Sequence, residues 1–385
     1  MAISCDVLVV GAGPAGLSAS IAAATAGAKV ICVDKKNEVG SNIKCAEGVA
    51  AHLLSLAPFK LPKSVLTWPI AGIQFCVEDF ILDRVGGLWN GYTINRCNFE
   101  KWLANKATNS GARIITSSEL VEIDVNNDLI ANACKIKKGN SFFEVLPKTI
   151  IACDGAESRT LDLLGVDKSQ EVIANVVSWE MKNVSLSTYK MEQIFYGPFS
   201  PYGYGYIFPK SKSSANVGVG TCFPNRRLED YFYEFIETPR VKKQLASATK
   251  VIEKSGTAII NREPHLEIGN IIFAGDSANR NLKPFVEGIL PAVISGFLAG
   301  KIAPTFIPNI EMYKRESIST LKSFYDVSEK VNEAMFEIFK LDQDKRALLL
   351  FGFESEWFDL SQLLNLKNKT SDELRTFLST HKKSI

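Results

Sequence analysis

The sequence predicts an α/β fold with an α+β insert: a largely parallel sheet flanked by helices, interrupted by an antiparallel β-sheet and finished by helices. Cys5 to Val10 is a β-prone apolar run that enters Gly11-Ala-Gly13-Pro-Ala15-Gly16, and an Ala-rich helical segment follows from Leu17 to Ala26. Lys148 to Cys153 and Asn270 to Ala274 are further apolar runs, each closing on an Asp and a Gly, as strands buried on both faces of a parallel sheet do. Between them, Val172 to Gly220 is strand-rich and aromatic, and from Ser317 onward the pattern is helical.

The first element is a Rossmann-type βαβ unit, because its glycines fall at the strand-to-helix turn. Gly11 permits the tight turn, Gly13 lets the backbone approach a pyrophosphate, and Gly16 lets helix and strand pack closely. The amide groups and dipole of the helix N-terminus then face phosphate. The second strand, Lys29 to Val33, ends in Asp34, whose carboxylate can accept both ribose hydroxyls, and Lys35 follows it as a further candidate contact.

Beyond this unit, Lys35 to Gly48 is polar and reads as a loop, and Ala50 to Leu56 as a short helix. Val65 to Leu82 alternates apolar and polar residues between Pro, Gly and Asp breaks, so short strands are expected. Asn98 to Asn109 has helical spacing and stops at Gly111. Arg113 to Thr116 and three further pieces through Val145 read as a strand and a meander, with Lys148 to Cys153 as a separate strand. Leu228 to Ala248 is expected to be helical. The dinucleotide domain is therefore discontinuous: 1–62, 92–170 and 262–305 belong to it, 63–91 and 171–261 to the inserted domain, and 306–385 to a C-terminal helical region.

Composition bounds the function. A chain of 385 residues with 46% hydrophobic and 22% charged residues has material for two to three globular domains. A net charge of +2 gives no footprint for nucleic acid, and Lys382 and Lys383 read as a solvated tail. Eight scattered cysteines and three unpaired histidines show no metal-type spacing, so no metal and a reducing cytosol are expected. The first strand starts almost at Met1, so no cleavable signal is expected. The longest apolar stretch, Phe285 to Ala303, carries Glu287, Gly288, Pro291 and Lys301 and reads as a buried helix rather than a membrane span. Cytoplasmic location is expected, with peripheral contact at a membrane left open.

Four separated signals converge on one ligand. They are the βαβ unit; Arg96, just before a helix, which can pair with pyrophosphate; Asp154-Gly155-Ala-Glu-Ser158-Arg159; and Gly275-Asp276 followed by Pro284-Phe-Val-Glu-Gly288-Ile289. Asp276 can accept a ribityl hydroxyl, and Gly288-Ile289 can present amides to an anionic flavin edge. Taken in this order they resemble the FAD-dependent enzymes of the para-hydroxybenzoate hydroxylase fold, over about residues 1–305. In that family Asp154 and Gly155 serve either FAD or nicotinamide handling. No second Gly-x-Gly-x-x-Gly and no Cys-x4-Cys is present, which disfavours a two-domain disulfide reductase.

Two further stretches resemble the geranylgeranyl reductase family. Ser41-Asn-Ile-Lys44-Cys45-Ala46-Glu47-Gly48 looks like its Cys-x-Glu-Gly loop beside the flavin. Tyr204-Gly-Tyr206-Ile-Phe208-Pro209 looks like its Tyr-x-Trp-x-Phe-Pro substrate motif, with Tyr206 in place of tryptophan. Pro291 inside the following helix is a second departure. The resemblance implies FAD contacts at Ala15, Asp34, Cys45, Ala46, Gly48, Arg96, Asp276, Gly288 and Ile289, with Leu120 against adenine through its backbone. It implies an apolar pocket at Tyr204, Tyr206, Phe208 and Pro209, although the same aromatics also fit a sheet core. Cys45 and Glu47 are the candidates on the proton side, and Cys45 also fits a packing role.

The function this implies is hydride transfer from reduced FAD to isolated double bonds of a polyprenyl lipid, quinone or diphosphate, with NAD(P)H or ferredoxin as external reductant. The alternatives on the same fold are a monooxygenase or halogenase that uses oxygen, and a dehydrogenase passing electrons to quinone. No iron–sulfur ligands accompany the last.

Overall fold

The computed structural model describes residues 2–305, 311, 315–316 and 319–381. The expected helical start at Ser317 and the Lys382-Lys383 tail lie outside the described residues.

The central sheet grows from β1 (Ala2–Val10), parallel to β2 (Val30–Val33) on one side and to β11 (Ser141–Ala152) on the other. β8 (Arg113–Ile115) adds in parallel beyond β2, and β18 (Ile271–Phe273) beyond β11, with β17 (Glu267–Ile268) antiparallel at the edge. Val7, Leu8 and Val9 are wholly buried, which explains a run of β-branched and apolar residues with no polar alternation. β9 (Ser118–Val125) and β10 (Ala131–Lys138) form the expected meander onto β11.

β11 departs from the expected pair of strands: it runs unbroken for 12 residues. Its first half pairs with β10 up to Val145 and its last three residues with β18 from Ile150. Pro147 falls between these partners, where one flank of the strand is an edge and a residue without an N–H is tolerated.

Helices α1 (Pro14–Thr25), α3 (Arg96–Asn109) and α7 (Ile289–Ile302) cover one face. α3 begins two residues before the expected start because Asn95 caps it, its side chain accepting from Asn98 N. α7 lies so close to α1 that a Cβ at Gly296 or Gly300 would stand 2.1 Å from the carbonyl oxygen of Ala15 or Ala19. Pro291 is in the first turn of α7, where its missing N–H has no intrahelical partner to lose. That departure from the family pattern therefore costs the helix nothing. On the other face, α4 (Arg159–Leu163) contributes Leu161 to the core under the meander.

The second sheet has the order β16 (Thr249–Asn261), β12 (Val172–Lys182), β15 (Ser214–Thr221), β14 (Gly203–Pro209), β13 (Met191–Tyr196), β5 (Gly72–Val77) and β6 (Phe80–Val85). One face takes α5 (Leu228–Glu237) and α6 (Pro239–Leu245), through Tyr231, Phe232 and Phe235. A single helix was expected there; Pro239 divides it, having no N–H to continue the ladder. The other face takes the C-terminal helices α8 (Lys322–Phe339), α9 (Gln343–Glu354), α10 (Leu360–Leu366) and α11 (Ser371–His381). A small sheet of β3 (Gly48–Ala50), β7 (Gly91–Ile94) and β4 (Leu66–Ile70), with α2 (Ala51–Leu54) after β3, links the two. Thr93 Oγ1 of β7 donates to the Pro209 carbonyl of β14 at 2.6 Å.

Candidate functional site

A cavity of about 1430 Å³ runs from the carboxyl ends of the parallel strands to the inner face of the second sheet. Strand polarity explains this convergence: β2, β11 and β18 all end at one crevice, so Asp34, Asp154 and Asp276, which follow them, line it together. Gly11, Gly13, Ala15, Lys35, Leu120 and Gly155 line the same end. Gly16 does not; its absent side chain lets α1 sit on the turn, where a Cβ would stand 1.8 Å from the Gly11 carbonyl oxygen.

The charged residues have definite partners. Asp34 accepts from Ala12 N at 2.6 Å and Lys36 N at 2.7 Å, so its carboxylate shapes the glycine turn. Asp154 is taken up by the start of α4, accepting from Ser158 Oγ at 3.0 Å and Thr160 N at 2.7 Å. Arg96 lines the cavity, but its guanidinium is held by Glu100 at 2.9–3.0 Å. Lys36 reaches the same carboxylate at 3.4 Å, so Glu100 is shared between two cations. Burial works against the charge on Arg96, but Glu100, with Cys45 beside it, holds the guanidinium protonated.

The loop from Cys45 to Gly48 forms the middle of the cavity. Cys45 Sγ accepts from Glu47 N at 3.2 Å. Glu47 was expected on the proton side, and the structure shows a carboxylate that is already committed. It accepts from Lys210 Nζ at 2.6 Å, Asn216 Nδ2 at 2.9 Å and Arg96 N at 3.1 Å. Burial opposes its charge, yet Lys254 and Lys210 outweigh burial and keep Glu47 below the usual carboxylate range. A donor of protons needs the opposite.

At the far end, Tyr204, Tyr206 and Phe208 line the cavity, with Ile70, Ile73, Trp89 and Phe285. Pro209 does not reach it and serves as the acceptor for Thr93. Tyr204 donates to the Phe285 carbonyl at 3.0 Å. The C-terminal helices close this end: Met335 of α8 and Glu356 after α9 line the cavity, and Tyr196 donates to Glu354 at 2.5 Å.

Sequence reasoning missed three titratable groups here: Glu192, Lys283 and Glu287. Burial pushes Glu192 up to about 8, with the Glu287 charge adding to it, and pushes Glu287 up to about 7. Burial also pulls Lys283 down to about 8, although Asp276 works the other way. The available signals were faint: a lone Glu beside apolar residues in β13, and a Glu inside the Pro284–Ile289 motif.

FAD fits this arrangement. Two of the long helices that open on the cavity, α1 and α7, start at glycines, Gly13 and Gly288, with no side-chain cap, so their first amides are free for an anion. A Cβ at Gly13 would meet nothing, so the backbone there stands open to an approaching phosphate. Fold and site define an FAD-dependent oxidoreductase.

Comparison with known proteins narrows the class. The FAD binding domain family matches residues 6–64, and the geranylgeranyl reductase catalytic domain matches residues 173–259. A digeranylgeranylglycerophospholipid reductase of Methanococcus aeolicus is 31% identical over 304 residues, covering 77% of this chain and 76% of that protein. A geranylgeranyl bacteriochlorophyll reductase-like crystal structure from Thermoplasma acidophilum superposes with a TM-score of 0.79 at 25% identity, covering 99% of this chain and 100% of that one. A flavin-dependent brominase superposes with a TM-score of 0.66 at 15% identity, covering 99% and 100%, a likeness of fold alone. The chain belongs to the digeranylgeranylglycerophospholipid reductase family.

Proposed function

We propose that this protein saturates isolated carbon–carbon double bonds in the polyprenyl chains of a glycerophospholipid. The observation that carries the reading is the continuity of the cavity, in which the dinucleotide crevice opens directly onto the Tyr204–Phe208 wall. Bound FAD supplies the hydride chemistry. The residues at the far end are mostly apolar or aromatic and so take a prenyl chain, and the tyrosines offer ring faces there. An isolated alkene has no carbonyl to stabilise charge, so the walls must exclude water and hold the bond aligned. NAD(P)H or ferredoxin is the proposed reductant, and among the described residues no helix is long and apolar enough to cross a membrane. Substrate entry by peripheral contact with a membrane is part of the proposal.

The test is anaerobic. The holoenzyme is reduced with dithionite and mixed with digeranylgeranylglycerophospholipid. Reoxidation of the cofactor without oxygen, with products heavier by two hydrogens for each double bond, is expected. No reoxidation until air is admitted would transfer the protein to the oxygen-using branch of the fold.

A further inference from the structure

Reduction of an alkene needs a proton as well as a hydride, and Glu47 is committed to Lys210 and Asn216. Two other carboxyls flank β3. Glu192 Oε1 stands 2.6 Å from where a Cβ at Gly48 would lie, and the Phe208 ring stands 3.3 Å from the same point. Glu287 Oε1, two residues along, accepts from Ala50 N at 3.2 Å. Both carboxyls line the cavity, and among the described residues no Lys, Arg or His forms an ion pair with either. The glycine at position 48 is what gives Glu192 its place beside the substrate wall.

Resting on the alkene-reductase reading, we propose that Glu192 delivers the proton to the double bond, and that Glu287 is the neighbouring charge that keeps this proton on Glu192. The step balances. The π bond breaks, and one carbon takes hydride from the reduced cofactor, which is thereby oxidised by two electrons. The other carbon takes the proton as the Glu192 O–H bond breaks, and water reprotonates the carboxylate. Burial and the Glu287 charge raise Glu192 to about 8, so its carboxyl carries the proton at neutral pH. The two groups titrate as a pair. Tyr204 on β14, Glu354 at the end of α9, Cys45 and Glu47 in the loop and Lys283 before Pro284 face this region from the surrounding elements. Burial raises both Tyr204 and Glu354, which keeps them neutral around pH 7.

Two variants of the holoenzyme test this, E192Q and E287Q. In single turnover on the prenyl lipid, E192Q is expected to slow cofactor reoxidation about 10²–10⁴-fold, the range for loss of a general acid. Reduction by dithionite should be unchanged. E287Q should keep the reaction but move its alkaline loss of rate to lower pH, because a like charge next to Glu192 is gone. Infrared titration without substrate should show a protonated-carboxyl band in wild type that E192Q loses. An active wild type with an equally fast E192Q, or an unchanged infrared titration in E192Q, would overturn the proton-donor role alone. A wild type inert toward every prenyl lipid would overturn the reading on which it rests.

Discussion

Lys210 Nζ donates to Glu47 Oε2 at 2.6 Å and to Glu180 Oε2 at 2.8 Å, so the end of the aromatic strand β14 is tied to the loop beside the cofactor. The side chain of Glu47 is 4% exposed and that of Lys210 14%, which makes this a buried ion pair rather than a surface one. Glu47→Gln is expected to destabilise the protein by about 3 kcal/mol, the low end for breaking a buried pair, because Lys210 retains Glu180. Urea denaturation of the holoenzyme reads this directly. A change below about 1 kcal/mol would show that the pair is effectively solvated.

The close crossing of α1 and α7 yields a positional prediction. Gly296→Ala and Gly300→Ala each place a methyl against a backbone carbonyl and should each cost about 1–3 kcal/mol as overpacking. Only Gly296 abuts Ala15, which lines the cavity, so FAD affinity should fall in Gly296→Ala and hold in Gly300→Ala. Fluorescence titration of the apoprotein with FAD separates the two. Equal losses would mean that the helix pair moves as a block.

Cys45→Ala is expected to keep more than about a tenth of wild-type turnover on a confirmed alkene substrate. The thiol accepts a bond from Glu47 N and lies against Arg96, a packing and positioning role in which a small residue substitutes well. A loss approaching the 10²-fold scale of acid catalysis would return Cys45 to the chemistry.

Stability should fall as pH rises. Burial raises Glu354 to about 8, although its bond from Tyr196 works the other way, and burial raises Glu287 to about 7. A carboxyl raised in the folded state binds its proton more tightly there than in the unfolded chain. Its contribution is therefore complete below the ordinary carboxylate pKa and is lost as pH climbs through the folded value. The slope is at most about 1.4 kcal/mol per pH unit for each such group, between about pH 5 and 8. Thermal melts across that window should show the decline, and Glu354→Gln should flatten it.

The parallel core and its cofactor crevice were legible in the sequence because each depends on local pattern. Gly11-x-Gly13-x-x-Gly16, Asp34, Asp154 and Asp276 each come just after an apolar run, and topology then brings the acids together. The fate of their carboxylates was not legible. Asp154 belongs to α4 and Arg96 to Glu100, and such partnerships depend on side-chain direction. Glu192 lies 95 residues from Glu287 in the chain, and only the meeting of β13 with β3 and the Gly288 turn makes them neighbours. Tyr196 and Glu354 are separated by 158 residues, so the closure of the cavity by α9 was equally hidden. Pro147 and Pro239 have opposite effects that only the fold decides; one sits harmlessly at a strand edge and the other divides a helix.

The central sheet is assembled from distant parts of the chain, and this orders the protein's birth. β1 is made well before its partner β11, which follows more than a hundred residues later, and β18 and α7 come later still. Until α7 emerges, the side of α1 that packs on it stays open and the crevice lacks one of its two uncapped helix starts. Pairings of such long span are slow to close and leave strand edges exposed while they wait. Completion of the cofactor crevice is therefore a late event along the chain.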